Sequence, residues 1–272
     1  RVDGTLLTRP GVNGHVVLEV ELGEDPTVTR HAVADAPRYD PVADAMRDLE
    51  ADAGLDEVVA TVDDPVERTQ SAAFRGESRI GNFVADAYRW ATDADVGLQN
   101  SGGIREGDPL AGEVTVADLV SLIPFEEPIA VAELTGAELR DVLRESSGAN
   151  IDFGEAHWWH GHVSGARIVW DADEHELRDA RVGDRWAATT ADDAPDEAID
   201  PDATYTLATS EYLFHTDHEF PTLDDAHRVD TGDVQYEVLA AYAREVGVDP
   251  AVSGRVVHRT DDEAGTAETG TF

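Results

Sequence analysis

The sequence predicts a mixed-sheet domain of the α/β (α+β) class. Apolar residues recur in short blocks, some alternating with period two as in strands and others spaced three or four apart as in helices. The blocks do not follow a clean strand–helix alternation, so a doubly wound parallel sheet is not predicted. A chain of 272 residues, 41% of them hydrophobic, suits one large domain, alone or with an appendage.

The individual elements are predicted from periodicity and from helix-start signals. Asp40-Pro41 indicates a helix start, and Thr135 followed by Glu138 has the pattern of a capping box. Helices are expected over 40–53, 80–92, 136–147 and 234–246, with one more beginning at Thr115. Strands are expected over 4–8, 15–22, 58–62, 129–134, 163–171, 177–182 and 205–209, with a short one ending at Leu98. Residues 183–203 are expected to form an acidic loop.

Composition excludes several classes of function. The formal net charge is −38, from 58 acidic and 20 basic residues, and every basic residue apart from histidine is arginine. A basic surface for nucleic acid is therefore not expected. No apolar run has the length of a membrane span. The absence of cysteine excludes disulfides, cysteine–zinc sites and thiol chemistry.

The acidity predicts adaptation to high salt rather than disorder, because apolar blocks recur throughout the chain. Charges are screened over about 3 Å at 1 M salt, against about 10 Å at 0.1 M. Molar salt therefore tolerates an acidic surface that keeps the protein soluble. Location stays open between the cytoplasm and the exterior of a halophile, with a slight preference for the cytoplasm.

Transfer from molar salt to about 0.1 M salt is expected to unfold the protein, because its acidic groups then repel one another over a longer range. The thermal midpoint, followed by circular dichroism across this salt range, measures the effect. A midpoint that does not depend on salt contradicts the prediction.

Two motifs carry most of the functional information. Residues 81–87 read as the start of a helix, and residues 99–105 (QNSGGIR) read as a Gly-rich loop after a buried strand. Such a loop lets backbone N–H groups approach a ligand closely, with Asn100 and Arg105 to hold it. The pair Gly102-Gly103 lacks the full dinucleotide-binding fingerprint.

In this order the motifs resemble the C-terminal, substrate-binding domain of the 5′-nucleotidase family, which includes UDP-sugar hydrolases and 2′,3′-cyclic phosphodiesterases. Further blocks match in family order: 77–87 (ESRIGNFVADA), 116–125 (VADLVSLIPF), 134–139 (LTGAEL) and 163–167 (VSGAR). Residues 3–11 (DGTLLTRPG) resemble the last strands of the family's metallophosphatase domain. The resemblance implies a domain remnant over 1–36, a linker helix and strand over 37–70, a nucleotide-binding domain over 71–258 and a disordered acidic tail over 259–272.

The resemblance also implies a divided enzyme. Two divalent metal ions would lie on a missing N-terminal metallophosphoesterase domain, which would be this chain's partner, and none would lie in this chain. The chain alone is then expected to recognise a nucleotide or nucleoside and to lack phosphatase activity. The alternative is a non-enzymatic nucleotide-binding or interaction module that kept the fold.

The same resemblance places an aromatic sandwich for the base at Phe125 and Tyr212, with Phe214 as a rival to Tyr212. Phe125 could instead be an ordinary core residue, Asn100 a turn cap, and Arg105 an ion-pair partner. The family continues from the second aromatic with Gly-Gly-Asp-Gly-Phe, whose Asp binds ribose. Here residues 215–220 read HTDHEF, which puts His218 at the Asp position with Asp217 beside it. Either side chain is a candidate for ribose recognition.

Two further groups are weaker candidates. Arg75 resembles a family arginine but lies one residue from its expected spacing, with Arg68 and Arg79 as alternatives. Residues 157–162 (HWWHGH) could be read as a metal site. Their spacing fits no standard zinc arrangement, so a surface-packing role is favoured.

Overall fold

The computed structural model describes residues 2–11, 14–183 and 197–259. Of the acidic tail predicted over 259–272, all but Arg259 lies outside the described residues, as does most of the acidic loop predicted over 183–203. The chain divides into two units, residues 1–53 and 54–272. No helix in the described part of the chain is long and apolar enough to cross a membrane.

The first unit is a hairpin followed by a helix. Strand β1 (Val16–Glu21) alternates partly buried and exposed residues and pairs antiparallel with β2 (Thr27–Ala32). Helix α1 (Asp40–Asp52) begins with proline in its first turn, as predicted. The strand predicted over 4–8 is wrong: Val2 and Thr5 form one isolated bridge, because Gly4 turns the chain at φ +81°.

The second unit contains three sheets and five helices among its described residues. Its helices are α2 (Gln70–Ala73), α3 (Arg79–Thr92), α4 (Val116–Leu122), α5 (Gly136–Glu145) and α6 (Gln235–Glu245). Its strands are β3 (Val58–Val66), β4 (Val96–Asn100), β5 (Leu110–Thr115), β6 (Pro128–Thr135), β7 (Gly161–Ser164), β8 (Ala166–Asp171), β9 (Glu176–Val182), β10 (Glu197–Ala198), β11 (Thr204–Ser210), β12 (Arg228–Val234) and β13 (Val256–Arg259). The predicted mixed α/β class is confirmed.

A five-stranded sheet forms the centre of the second unit, in the order β12-β6-β11-β4-β7. Within this sheet β11 and β4 are parallel neighbours, and the other pairs are antiparallel. A four-stranded sheet has the order β10-β9-β8-β13, and β3 pairs with β5. The two larger sheets are therefore mixed.

Apolar side chains cover both faces of the central sheet. One buried cluster contains residues of α3, α4 and α6 together with Ile129 and Ala208. The other contains residues of α5 and β8 together with Ala130 and Leu207. Because consecutive strand residues point to opposite faces, these neighbours assign the two clusters to opposite sides of the sheet.

Helix α3 lies in the core because its sequence permits burial on nearly every side. The Ser78 hydroxyl caps its N-terminus by accepting from Gly81 N at 3.1 Å. A Cβ at Gly81 would lie 2.1 Å from the His162 ring, so only glycine allows the helix to approach β7 this closely. The motif over 81–87 is therefore a packing motif as well as a helix start.

Capping boxes begin α4 and α5, at Thr115 with Asp118 and at Thr135 with Glu138. The single strand predicted over 163–171 is wrong. It is split at Gly165 (φ +71°), so that β7 joins the central sheet and β8 the four-stranded one. Five strands were not predicted: β2, β5, β10, β12 and β13, of which β10 lies within the loop predicted over 183–203. Most of their sequences lack a regular alternation of apolar residues.

A buried ion pair attaches β13 and the segment before it to α3. The Arg255 guanidinium donates to both oxygens of Asp86, at 2.7 and 2.9 Å, and both side chains are almost fully buried. The Glu77 carboxylate accepts from the backbone N–H groups of Ser253 and Arg255, each at 2.8 Å. Charged groups thus join segments about 170 residues apart in sequence.

Asp86→Asn is expected to lower the free energy of unfolding by about 3–5 kcal/mol, because it leaves the buried Arg255 charge without its partner. Asp141→Asn is the control, since its 3.3 Å pair with Arg144 is exposed and contributes under about 1 kcal/mol. Denaturant unfolding at fixed salt measures both. Equal losses in the two variants contradict the assignment.

Candidate functional site

Several chain segments meet at one end of the five-stranded sheet. β4 and β11 are parallel neighbours, so their last residues, Asn100 and Ser210, lie at the same end. β6 pairs Ile129 with Ser210 and begins at this end. β7 also begins there, since its Gly161 pairs with Asn100. The segments just outside these strand ends carry the predicted residues Arg105, Phe125, Tyr212, Asp217 and His218.

The buried hydroxyl of Ser101 fixes the Gly-rich turn after β4. Its Oγ lies 2.7 Å from Ala73 O, 2.9 Å from Trp159 O and 3.1 Å from His162 Nε2. The Ser101 N–H donates to His160 O at 2.7 Å. One residue therefore connects the turn to α2, to the segment before β7 and to β7 itself.

The two glycines of this turn have different roles. A Cβ at Gly103 would lie 2.3 Å from Gln99 Nε2 and 2.8 Å from Asn100 Oδ1, so glycine is required for the turn to close over these amides. A Cβ at Gly102 would meet nothing closer than Asn100 Nδ2 at 3.7 Å and Glu219 Oε2 at 3.9 Å. Gly102 therefore leaves space beside the Asn100–Glu219 contact.

Asn100 is buried and uses both ends of its amide. Its Nδ2 donates to Glu219 Oε2 at 3.1 Å, and its Oδ1 accepts from Gln99 Nε2 at 2.9 Å. Its side chain makes no capping hydrogen bond to the short 3-10 helix over 101–103. The turn-cap interpretation of Asn100 therefore fails, and its amide faces the residue 219 carboxylate instead.

Phe125 is partly buried against the apolar cluster of α3, α4 and α6. The Arg105 guanidinium carbon lies 5.1 Å from the centre of its ring, in a cation–π contact. Arg105 is exposed, and its Nη1 donates to Gly102 O at a long 3.4 Å. A base that stacked on this ring would have to displace a loosely held guanidinium.

Tyr212 and Phe214 differ sharply in accessibility. Both lie in a 3-10 helix (Glu211–Phe214) directly after β11. Phe214 belongs to the core cluster of α5 and β8, whereas Tyr212 is 40% exposed. Only Tyr212 of the two can offer a ring face to a ligand, and its hydroxyl donates to Glu219 Oε1 at 3.4 Å.

The loop over 215–219 turns one carboxylate inward. Asp217 and His218 are exposed, while Glu219 is 2% exposed. Phe220 follows in the left-handed region at φ +51°, an uncommon conformation for a bulky residue, and its ring is fully buried. Its burial and the backbone turn aim Glu219 at Asn100, whereas Asp217 and His218 face solvent.

Burial raises the pKa of the Glu219 carboxyl, while the hydrogen bonds from Asn100 and Tyr212 act in the opposite direction. His160 Nδ1 lies 4.0 Å from Glu219 Oε2, and both side chains are buried. Burial lowers the pKa of His160 to about 4, so the ring is neutral at pH 7. The contact is therefore between a carboxyl group and an uncharged imidazole.

The three arginine candidates are in different situations. Arg68 is buried and donates to Asp108 O and Ser121 Oγ. Arg79 pairs with Asp64 at 2.7 Å. Arg75 is exposed and lines an open cavity of about 420 Å³ together with Glu67, Ser71, Ser78 and Arg79. Among the three, Arg75 is the one whose guanidinium makes no hydrogen bond or ion pair within the described part of the chain.

The histidines of residues 157–162 do not converge on a common point. His157 is exposed, the His160 ring packs against Phe74 and Phe153, and His162 faces Ser101. Trp159 is a core residue with T-shaped contacts to Trp170 and His258, so this stretch packs the interior rather than the surface. Over 2–11, 14–183 and 197–259, no group of three or more His, Asp or Glu residues could hold a metal ion.

Comparison with known proteins identifies the family. The family described as "5′-nucleotidase, C-terminal domain" matches residues 58–225. The chain belongs to this family. Trifunctional nucleotide phosphoesterase protein YfkN of Bacillus subtilis is 26% identical over 190 residues, which cover 66% of this chain and 12% of that protein. Protein UshA of Escherichia coli is 25% identical over 170 residues, covering 62% of this chain and 28% of UshA.

A solved structure agrees on the fold. The 5′-nucleotidase precursor from Thermus thermophilus matches with a TM-score of 0.68 at 24% identity, over 90% of this chain and 50% of that one. The matched region of this chain spans about an eighth of YfkN and just over a quarter of UshA. What those whole proteins do is therefore not assigned to this chain by similarity alone.

Sequence reasoning missed Glu219, His160 and Ser101 as parts of this site. The resemblance implied a glycine at the position of Glu219, so no side chain was expected there. No sequence signal pointed to Glu219, because its inward direction depends on the left-handed backbone at Phe220, whereas a residue before proline is expected to be extended. His160 and Ser101 gave no signal, because their contacts join separate strands.

Stability is expected to fall as pH drops from about 6.5 towards 4. Burial lowers the pKa of His160 and His162 to about 4 in the folded state, so the unfolded chain binds more protons in this window. Each histidine is expected to cost about 1–2 kcal/mol at pH 5 relative to pH 7. Denaturant unfolding at fixed salt gives the two free energies.

His160→Phe is expected to remove one histidine's share of this pH dependence, since phenylalanine keeps an aromatic ring against Phe74 and Phe153. His31→Gln, at an exposed position, serves as the control. If His160→Phe shows the same loss between pH 7 and 5 as the unmodified protein, a neutral buried His160 is excluded.

Proposed function

We propose that this chain is the nucleoside- or nucleotide-recognition domain of a larger, metal-dependent 5′-nucleotidase-like phosphohydrolase. One observation carries the proposal: three segments bring Asn100 and Arg105, Phe125, and Tyr212 to one end of the central sheet. This grouping supplies both an aromatic surface and polar groups, the two elements that nucleoside binding needs.

Phe125 and Tyr212 are the proposed base-stacking residues. Stacking of a base on an aromatic side chain contributes about 1–3 kcal/mol and tolerates any base, because every base has a π-face. Core packing on one side holds the Phe125 ring in place. Tyr212 is exposed enough to close over the other face of a bound base. Phe214 is not part of the proposal, since it is a core residue.

Asn100, Gly102, Gly103 and Arg105 are the proposed polar side of the site. The glycines let the turn lie close to a ligand, and Asn100 presents its amide at the end of β4. When a base displaces the Arg105 guanidinium from Phe125, the planar fork becomes available for a sugar or phosphate oxygen. Arg75, as an exposed cation, is a further candidate for phosphate contact. Asp217 and His218 remain candidates from the solvent side.

Catalysis is proposed to reside on a separate N-terminal metallophosphoesterase domain that holds two divalent metal ions. Such ions can generate a water nucleophile and stabilise charge on phosphate oxygens. The described residues of this chain form no metal-binding cluster, so its own side chains would bind and orient the substrate. The acidity is proposed to reflect adaptation of the whole protein to molar salt.

A second candidate is a non-enzymatic nucleotide-binding or interaction module. The altered loop over 215–219 favours it, because Glu219 replaces a glycine of the family's ribose-binding loop. A longer chain that includes the preceding sequence distinguishes the two. Hydrolysis of nucleotides with divalent metal supports the enzyme, and binding without hydrolysis supports the module.

Phe125→Ala is expected to weaken nucleoside binding by about 1–3 kcal/mol, because it removes one stacking face. Calorimetric titration in molar salt with adenosine, AMP, uridine and UDP-glucose measures the loss and ranks the ligands. Tyr39→Ala is the control, since Tyr39 is an exposed aromatic residue outside the matched region. No binding of any of the four ligands, or equal losses in the two variants, contradicts the proposal.

A further inference from the structure

We propose that Glu219 is the residue that recognises the 2′ and 3′ hydroxyls of a bound ribose. This inference rests on the proposed function and refines it, because sequence position alone points to His218 or Asp217. The carboxylate of Glu219 would take over, from a neighbouring position, the role of the aspartate in the family's Gly-Gly-Asp-Gly loop.

The Glu219 carboxylate lies inside the proposed nucleoside site. Glu219 is the residue of the 215–219 loop whose side chain points into the site, where Asn100 and Tyr212 contact it. Both partners belong to the proposed nucleoside site, one at the end of β4 and the other directly after β11. Asp217 and His218 are exposed, and in the described part of the chain the Asn100 side chain bonds to Gln99 and Glu219 instead.

The Glu219 carboxylate also has unused hydrogen-bonding capacity. A carboxylate has about four acceptor positions. Within the described part of the chain, Glu219 accepts two hydrogen bonds, from Asn100 Nδ2 at 3.1 Å and from Tyr212 OH at 3.4 Å, and the second is long. His160 Nδ1, at 4.0 Å, is beyond hydrogen-bonding distance. Acceptor positions therefore remain for further donors, and a vicinal diol supplies a pair of them.

Gly102 and Tyr212 leave the Glu219 carboxylate accessible to a ligand. Gly102 leaves room for at least a methyl-sized group beside Asn100 Nδ2 and Glu219 Oε2. Tyr212, which covers the other carboxylate oxygen, is 40% exposed and held by a 3.4 Å contact, so its hydroxyl can be exchanged for a ligand hydroxyl. A ligand that stacks on Tyr212 would then have its sugar next to Glu219.

The loop that carries Glu219 is anchored on its C-terminal side. Phe220 is fully buried, and the Thr222 hydroxyl donates to Glu145 Oε1 at 2.6 Å. The backbone on the C-terminal side of Glu219 is thus fixed to the core and to α5. A preorganised acceptor contributes more to selectivity than one carried on a mobile loop, because less side-chain entropy is lost on binding.

The test is calorimetric titration of the full chain in molar salt with adenosine, 2′-deoxyadenosine and 3′-deoxyadenosine. The unmodified protein is expected to prefer adenosine over each deoxy analogue by about 10- to 100-fold, as for a hydrogen bond to a charged group. Glu219→Gln is expected to reduce this preference to about twofold or less, since the amide is a weaker acceptor. Glu126→Gln is the control, because it removes an exposed carboxylate next to Phe125, and it should keep the preference.

Two further variants keep the test decisive if Glu219→Gln folds poorly. Gly102→Ala places a methyl group beside the Glu219 oxygen and is expected to weaken adenosine binding at least about tenfold, with an unchanged thermal midpoint. Asp217→Asn and His218→Gln test the rivals: loss of the hydroxyl preference in either, with retention in Glu219→Gln, overturns the assignment. Unchanged adenosine affinity in Gly102→Ala also overturns it.

The outcomes separate this inference from the proposed function. Binding that Phe125→Ala weakens, without any preference for hydroxyl-bearing ribose, disproves the Glu219 assignment and leaves the recognition domain standing. Failure of the unmodified protein to bind any of the three nucleosides disproves both.

Discussion

The buried hydroxyl of Ser101 is the contact on which the arrangement of the site depends. It lies within hydrogen-bonding distance of Ala73 O, Trp159 O and His162 Nε2, and so connects the end of β4 to α2 and to β7. Its single hydrogen is shared between the two carbonyl oxygens, and because a buried polar group without partners costs about 1–3 kcal/mol, the three segments are held close to this hydroxyl. Asn100 precedes it and Gly102 follows it, and both are therefore placed by the same interaction.

Buried charge is the second organising feature of this very acidic chain. Asp86 and Glu77 hold the C-terminal strand through Arg255 and its neighbours, and Glu145 anchors the loop that carries Glu219. Each of these carboxylates has specific donors, whereas Glu219 accepts from Asn100 and, at a long 3.4 Å, from Tyr212, and it keeps remaining acceptor capacity. The acidic groups therefore serve two purposes, structural attachment in most cases and, in our proposal, ligand recognition in one.

The sequence predicted the local structure well wherever a local signal existed. The capping box at Thr135 and the helix expected over 80–92 are formed, and Phe125 and Tyr212 lie near the same sheet end as Asn100. The predictions failed where long-range pairing decides. Gly165 divides an apolar run between two sheets, and β13 forms because β8 offers it an edge.

The candidate site was only partly predictable, for the same reason. Asn100, Arg105 and Phe125 lie in motifs that the sequence shows directly. The inward direction of Glu219 follows from the left-handed backbone at Phe220 and the burial of its ring, and neither can be read from residue types. The neutral state of His160 likewise depends on rings contributed by separate segments, Phe74 and Phe153.

A crystal structure of the chain with adenosine bound tests most directly whether the end of the central sheet is a nucleoside site. We expect the adenine ring to stack between Phe125 and Tyr212, and the Arg105 guanidinium to leave the Phe125 face. The ribose hydroxyls are predicted to lie within about 3 Å of the Glu219 carboxylate. Adenosine bound elsewhere, for example in the cavity beside Arg75, would contradict this expectation.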